Sequence, residues 1–251
     1  MGCGIYLYGI LPIAEGQETL LDAQFDQAEG LDKQPIQMRT IDRFGVLYSE
    51  AQQGRYLASR RNLLGHERVL ETAMKAGFRN LLPLRFGLTV EDWSMVESQL
   101  LTPHGTQMEA LFAKLEGYRE VSVKVFWEPE AELQQLMVED TDLSAQRDRL
   151  AGQNLNMEQV IRIGQSIEQA AVARKDALLD VFRKTLSPLS IEQVENDTLT
   201  DAMIYNAAFL IPWDSEAAFS EVVDSIDRQY PDRFKIRYNN FTAPYNFSQL
   251  N

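Results

Sequence analysis

The stretch REVSVKVFW (residues 119–127) is the key to the architecture of the chain's second half. Val121, Val123 and Val125 fall on one face and Ser122 and Lys124 on the other, the period of two of a half-buried β-strand. From Glu128 to Leu150 the sequence is acidic, with helical periodicity at Leu133, Leu136 and Met137. A longer helix is expected from Asn156 to about Leu186. Asn156 and Gln159 have the spacing of a capping box, and Val160, Ile163, Ile167, Ala170, Leu178 and Val181 form its apolar stripe. At 1.5 Å per residue this helix is about 45 Å long, more than one small domain covers, so part of it is expected to project or to pack on a partner. LSIEQVE (189–195), AMIYNAAFLIP (202–212) and RFKIRYN (233–239) read as strands, with a helix from Asp214 to about Gln229 between the last two. The order is β-α-β-β-α-β with a helix inserted after the first strand, which is the ferredoxin-like order.

Just before this strand, Gly117 marks a boundary. Two domains are predicted: an N-terminal α+β domain (residues 1–116) and a modified ferredoxin-like domain with long helices (residues 117–251), an α+β protein overall. In the first domain GIYLYGIL (4–11) is apolar on both faces and fits a central strand. Residues 14–34 are polar and read as an irregular segment. IQMRTI (36–41) and FGVLYSE (44–50) form a hairpin across Asp42-Arg43. A helix from about Ser59 to Ala76 places Leu63, His66, Leu70 and Ala73 on one face, with Gly77 as its stop. NLLPLRFGLT (80–89) reads as a strand, at an edge or starting at Pro83, because proline gives the ladder no donor. Helical patterns over 91–101 and 104–115 are interrupted at Thr102-Pro103, where proline either kinks one helix or starts a second.

The chain has 251 residues, 45% hydrophobic and 24% charged, enough apolar material for a core. Its net charge of −13 disfavours nucleic acid and anionic lipid, both of which select a positive face. The start lacks the basic segment of a signal peptide, and Cys3, the single cysteine, excludes a disulfide framework and a cysteine zinc site. The protein reads as cytoplasmic.

Catalytic material is sparse. His66 and His104 are the only histidines; His66 lies on an apolar helix face, where a hydrogen-bonded core role competes with that of a base. Neither a nucleotide-binding glycine motif nor a nucleophile elbow occurs. No cofactor or metal is expected. Arg85, inside an apolar run, is either an anion-binding group or a structural charge paired with Glu67 or Glu71 of the preceding helix. The aromatic set Tyr230, Phe234, Tyr238, Phe241, Tyr245 and Phe247 is dense, and it serves either internal packing or a docking surface, with Tyr245 and Phe247 the candidates for partner contact.

HERVLETAMKAGFRNLLPLRFG (66–87) resembles the gas vesicle protein F/L family, whose shared pattern is a His-x-x-Val-Leu helix followed by Leu-Pro-Leu-Arg-Phe-Gly. His66, Pro83, Arg85 and Gly87 belong to that motif. YLYGI near the start, GYREVSVKVFW (117–127), IYNAAFLIPW (204–213) and RYNNFTAPYNF (237–247) extend the resemblance, in order, over nearly the whole chain. Asn240 and Phe241 stand where the family commonly has Gly-Pro. The resemblance implies two α+β domains and a non-enzymatic accessory role in the cytoplasm, associated with the gas vesicle. The implied partner is the small hydrophobic gas vesicle shell protein, whose premature aggregation such proteins limit, together with other accessory proteins; nucleic acid and lipid membrane are not among its partners. The competing class is a small-ligand or anion-binding enzyme or sensor using Arg85 and His66.

Overall fold

β1 (Gly4–Pro12) is the centre of the first sheet, as its two apolar faces require: Tyr6, Leu7, Tyr8 and Ile10 are all fully buried. The structure is a computed structural model that describes residues 4–13, 29–152, 156–231 and 233–250. Most of the segment expected to be irregular, residues 14–28, lies outside the described residues. β2 (Gln37–Ile41) and β3 (Phe44–Ala51) form the expected hairpin, with Ile41 opposite Phe44 and Asp42 at φ 53°, a conformation aspartate tolerates. The sheet runs β2-β3-β1-β4, and β5 also pairs with β1.

The first helix, α1 (Arg60–Lys75), starts at Ser59, whose hydroxyl accepts from the Asn62 N–H at 3.2 Å. It ends where Gly77 adopts φ 104°, with Phe78 N–H bonded to Ala73 O and Gly77 N–H to Met74 O, the paired bonds of a left-handed helix stop. His66, Val69, Leu70, Ala73 and Met74 form its buried face. Leu63, expected on that face, is 42% exposed.

The run 80–89 is not one strand. β4 is only Leu82–Pro83 and β5 only Thr89–Val90, both antiparallel to β1. Between them the chain leaves the ladder, because Pro83 has no N–H and Gly87 sits at φ 90°, outside the range of extended backbone. Leu84 N–H still reaches Tyr8 O, and Leu7 N–H reaches Leu88 O, so the loop is pinned at both ends. Beyond it lie a turn of helix (Trp93–Met95), a π-helical segment (Val96–Leu101) and α2 (Thr102–Leu115) in one helical run. Pro103 accounts for the wide turn before it, since its ring crowds the carbonyl four residues back.

The second sheet contains β6 (Tyr118–Trp127), β7 (Glu192–Glu195), β8 (Met203–Pro212) and β9 (Phe234–Thr242) in the order β7-β8-β6-β9. After β6 come α3 (Pro129–Glu139), α4 (Thr141–Gly152) and the long α5 (Met157–Leu186); α6 (Glu216–Gln229) joins β8 to β9. The capping box at the start of α5 is complete: Gln159 N–H donates to Asn156 Oδ1 at 2.9 Å and Asn156 N–H to Gln159 Oε1 at 3.0 Å. Val121, Val123 and Val125 pack with Leu179, Phe182 and Leu186 of α5 and with Phe219, Val223 and Ile226 of α6. A satellite cluster of Leu136, Met137 and Leu143 packs against Ile167 and Ala170 in the first half of α5.

The chain divides into two compact units, Met1–Glu120 with Phe241–Asn251, and Val121–Asn240. The first crossing thus falls a few residues beyond the boundary expected at 117. The C-terminal segment, expected with the second domain, belongs instead to the first unit. It does so because Ala243 and Phe247 are buried there and Asn246 is bonded to Glu120.

Candidate functional site

Tyr6, His66 and the 84–88 loop form a continuous hydrogen-bonded chain. His66 Nε2 lies 3.1 Å from Leu84 O, which can only accept, so Nε2 carries the proton. Nδ1 must then accept, and Tyr6 Oη donates to it at 3.0 Å. The same phenolic oxygen accepts the Gly87 N–H at 2.9 Å. Every polar atom of this buried set therefore has a partner, and the imidazole is 2% exposed. Burial pushes its pKa down to about 4, with the bond to Leu84 opposing, so the ring is neutral near pH 7. His66 and Gly87 are thereby placed as parts of the brace that shapes the loop. Pro83 is buried within β4.

Arg85 is exposed at the rim of this loop and forms no ion pair with a described residue. Its expected partners are engaged elsewhere: Glu71 with Lys75 at 3.2 Å, and Glu67 with the Thr242 hydroxyl at 3.4 Å. Arg85 opens to solvent, whereas His66 is buried with both ring nitrogens engaged inside the fold. Arg85 instead lines a cavity of about 500 Å³ between the 83–88 loop and residues 245–250 of the tail.

Of the two aromatic candidates for partner contact, Phe247 is 2% exposed and packed inside the first unit. Tyr245 is half-buried on the cavity wall, and burial pushes its phenol pKa well above the usual value. Phe241 lies under the Lys75 ammonium at 5.1 Å and the Arg119 guanidinium at 5.4 Å. In the second unit Tyr230 packs on Phe234 and Tyr238 stacks near Phe219. The aromatic density of the C-terminal stretch is thus largely consumed by packing.

Sequence reading alone misses two groups. Glu120 is 3% exposed and accepts from Asn246 N at 2.9 Å and Asn246 Nδ2 at 2.6 Å. Burial raises its pKa to about 7, the two bonds from Asn246 opposing. It sits in β6 on the face of Ser122 and Lys124, so the alternation gave no sign of its burial. Glu132, on α3, accepts from Arg174 Nε at 2.8 Å and from Arg233 Nε and Nη2 at 2.9 and 2.8 Å. Burial raises its pKa, but the bonds from Arg233 and Arg174 outweigh that and hold the carboxyl below its usual range. Among the described residues no three His, Cys, Asp or Glu side chains gather as a metal site, and no helix is long and apolar enough to cross a membrane.

These features define a mixed α+β protein with two antiparallel sheets, whose buried polar groups brace loops and tie the tail down. Its relatives are specific. The family model for gas vesicle synthesis protein GvpL/GvpF matches residues 4–249, and the chain belongs to that family. It is 56% identical over 250 residues to gas vesicle protein F of Dolichospermum flosaquae, covering 100% of this chain and 99% of that one. The crystal structure of gas vesicle protein GvpF from Anabaena sp. superposes with a TM-score of 0.83 at 50% identity, covering 99% of this chain and 97% of the other. That of GvpF from Microcystis aeruginosa gives 0.82 at 50% identity, over 99% and 100%.

Proposed function

We propose that this protein is a non-enzymatic accessory factor of gas vesicle formation that binds the small hydrophobic shell protein and limits its aggregation before assembly. The observation that carries this reading is the family match across residues 4–249, together with a full-length relative named as gas vesicle protein F. The second unit is read as a modified ferredoxin-like fold, since the order β7-β8-β6-β9 puts the first and third of its strands at the centre. The protein acts in the cytoplasm in association with the vesicle, with other accessory proteins as further partners; neither nucleic acid nor lipid membrane enters this reading.

Surface chemistry supports it. Met157, Val160 and Ile161 at the start of α5 and Val172 at its middle are exposed. Ile161 lies 18 residues, five helical turns, before Leu179, so the face that packs on the sheet farther along continues outward as apolar surface. A shell subunit that borders a gas space carries apolar surface before assembly, and such a face can cover part of it. The net charge of −13 keeps the resulting complex dispersed. The alternative reading of Arg85 and His66 as an enzyme site draws no support from His66, whose two ring nitrogens are both engaged within the fold.

The test is co-expression with the small hydrophobic shell protein. The shell protein is expected to stay in the soluble fraction and co-purify with this chain; a shell protein that pellets equally with and without it overturns the reading.

A further inference from the structure

Arg85 is exposed in a strongly acidic protein, yet no described carboxylate pairs with it. It opens onto the cavity of about 500 Å³, a volume in the range of small-ligand sites, whose walls come from Leu84, Phe86 and Leu88 of the loop and Tyr245 and Leu250 of the tail. The Tyr245 hydroxyl makes no hydrogen bond to a described residue and remains a neutral donor. A guanidinium and a phenol beside the apolar side chains of this cavity match a planar monoanion, which arginine holds by two parallel N–H bonds. A phosphate fits less well: it carries more charge, wants more donors, and would sit near Glu67 and Glu120, the carboxylates that act on Tyr245.

The walls are also held in place. Gly87 N–H is bonded to Tyr6 Oη, Leu84 O to His66 Nε2, and Asn246 to Glu120, so both the loop and the tail side of the cavity are fixed by buried or partly buried bonds. The Ser248 hydroxyl, which also faces the cavity, is already donated to Pro244 O at 2.6 Å. Arg85 and Tyr245, with Gln249 beside them, are the polar side chains left to a ligand, and the apolar side chains of the wall receive the rest of the molecule.

We propose that this cavity is a binding site for a single carboxylate on an apolar body, with Arg85 gripping the carboxylate and Tyr245 donating to it. A free medium-chain acid and the C-terminal residue of a peptide share that chemistry. The test is calorimetric titration of the full chain with octanoate against octanol, and with a short peptide ending in leucine as the free acid against its amide. At least one carboxylate is expected to bind tenfold or more tightly than its neutral counterpart. Arg85→Gln abolishes that preference, and Tyr245→Phe reduces it several-fold while the fold, followed by circular dichroism, is unchanged. Octanoate or the free-acid peptide as the tighter ligand assigns the source. Equal binding of acid and neutral forms, no binding by either acid, or a preference that survives Arg85→Gln overturns the proposal.

Discussion

Glu120→Gln should change how the stability of the first unit depends on pH, and by a predictable amount. In the folded protein the Glu120 pKa is raised to about 7, while the unfolded chain titrates near 4.5. Between those values the folded state binds more protons than the unfolded state, so this carboxyl's contribution is complete below pH 4.5 and is lost as the pH rises through about 7. A rise of that size corresponds to about 3 kcal/mol. His66 works in the opposite sense. Its folded pKa is lowered to about 4 against 6.5 unfolded, so its contribution is complete above pH 6.5 and is lost as the pH falls through about 4. Between pH 4.5 and 6.5 the two slopes oppose each other, and the wild-type protein should show a flatter profile than either group alone would give. Glutamine cannot ionise, so Glu120→Gln removes one slope and leaves the other. The substituted amide retains one acceptor for Asn246 but presents an N–H₂ to the other donor, a fixed penalty that does not depend on pH. Urea denaturation of both proteins from about pH 4.5 to about pH 7.5 isolates the effect as a difference. The stability advantage of wild type over variant should shrink by about 3 kcal/mol across that range. A difference that stays constant with pH would refute the assignment of Glu120 as a buried, high-pKa carboxyl.

Other perturbations probe the packing and the exposed helix face. Tyr6→Phe strands the Gly87 N–H and His66 Nδ1 without a partner and should destabilise the first unit by about 2–3 kcal/mol in chemical denaturation. Glu132→Ala removes the shared carboxylate of Arg174 and Arg233; a loss of about 3 kcal/mol is expected, at the low end for a broken buried pair because Arg174 keeps Glu139. By contrast, Met157→Ser with Ile161→Ser and Val172→Ser alters exposed positions only. Thermal melts should move by no more than about 0.5 kcal/mol per site, while co-purification of the shell protein falls.

Local signals carry much of the architecture. The two-sided apolar character of residues 4–11 identifies the central strand, and the valine alternation at 121–125 identifies the inner face of β6. Asn156 and Gln159 locate the start of the long helix to the residue, because a capping box is a contact between neighbours in sequence. The run 80–89 reads as a strand because its apolar period continues through Pro83 to Phe86, whereas the backbone is decided by a missing donor and a positive φ at Gly87. The crossing of the tail into the first unit has no local signature at all. It depends on Asn246 meeting Glu120 across 126 residues and on the burial of Phe247, and neither leaves a periodic trace. Arg85 stands out by its residue type in an apolar run, but its surroundings come from the loop and the tail together, which only the folded chain brings to one cavity.

Whether this protein covers the apolar surface of the shell protein is tested most directly by light scattering. Denatured shell protein is diluted into buffer with the full chain present at increasing molar ratio. Scattering should fall as the chain approaches equimolar amounts, and the Met157→Ser, Ile161→Ser, Val172→Ser variant should protect less. Aggregation that proceeds as fast with this protein as with an equal amount of serum albumin would contradict the claim.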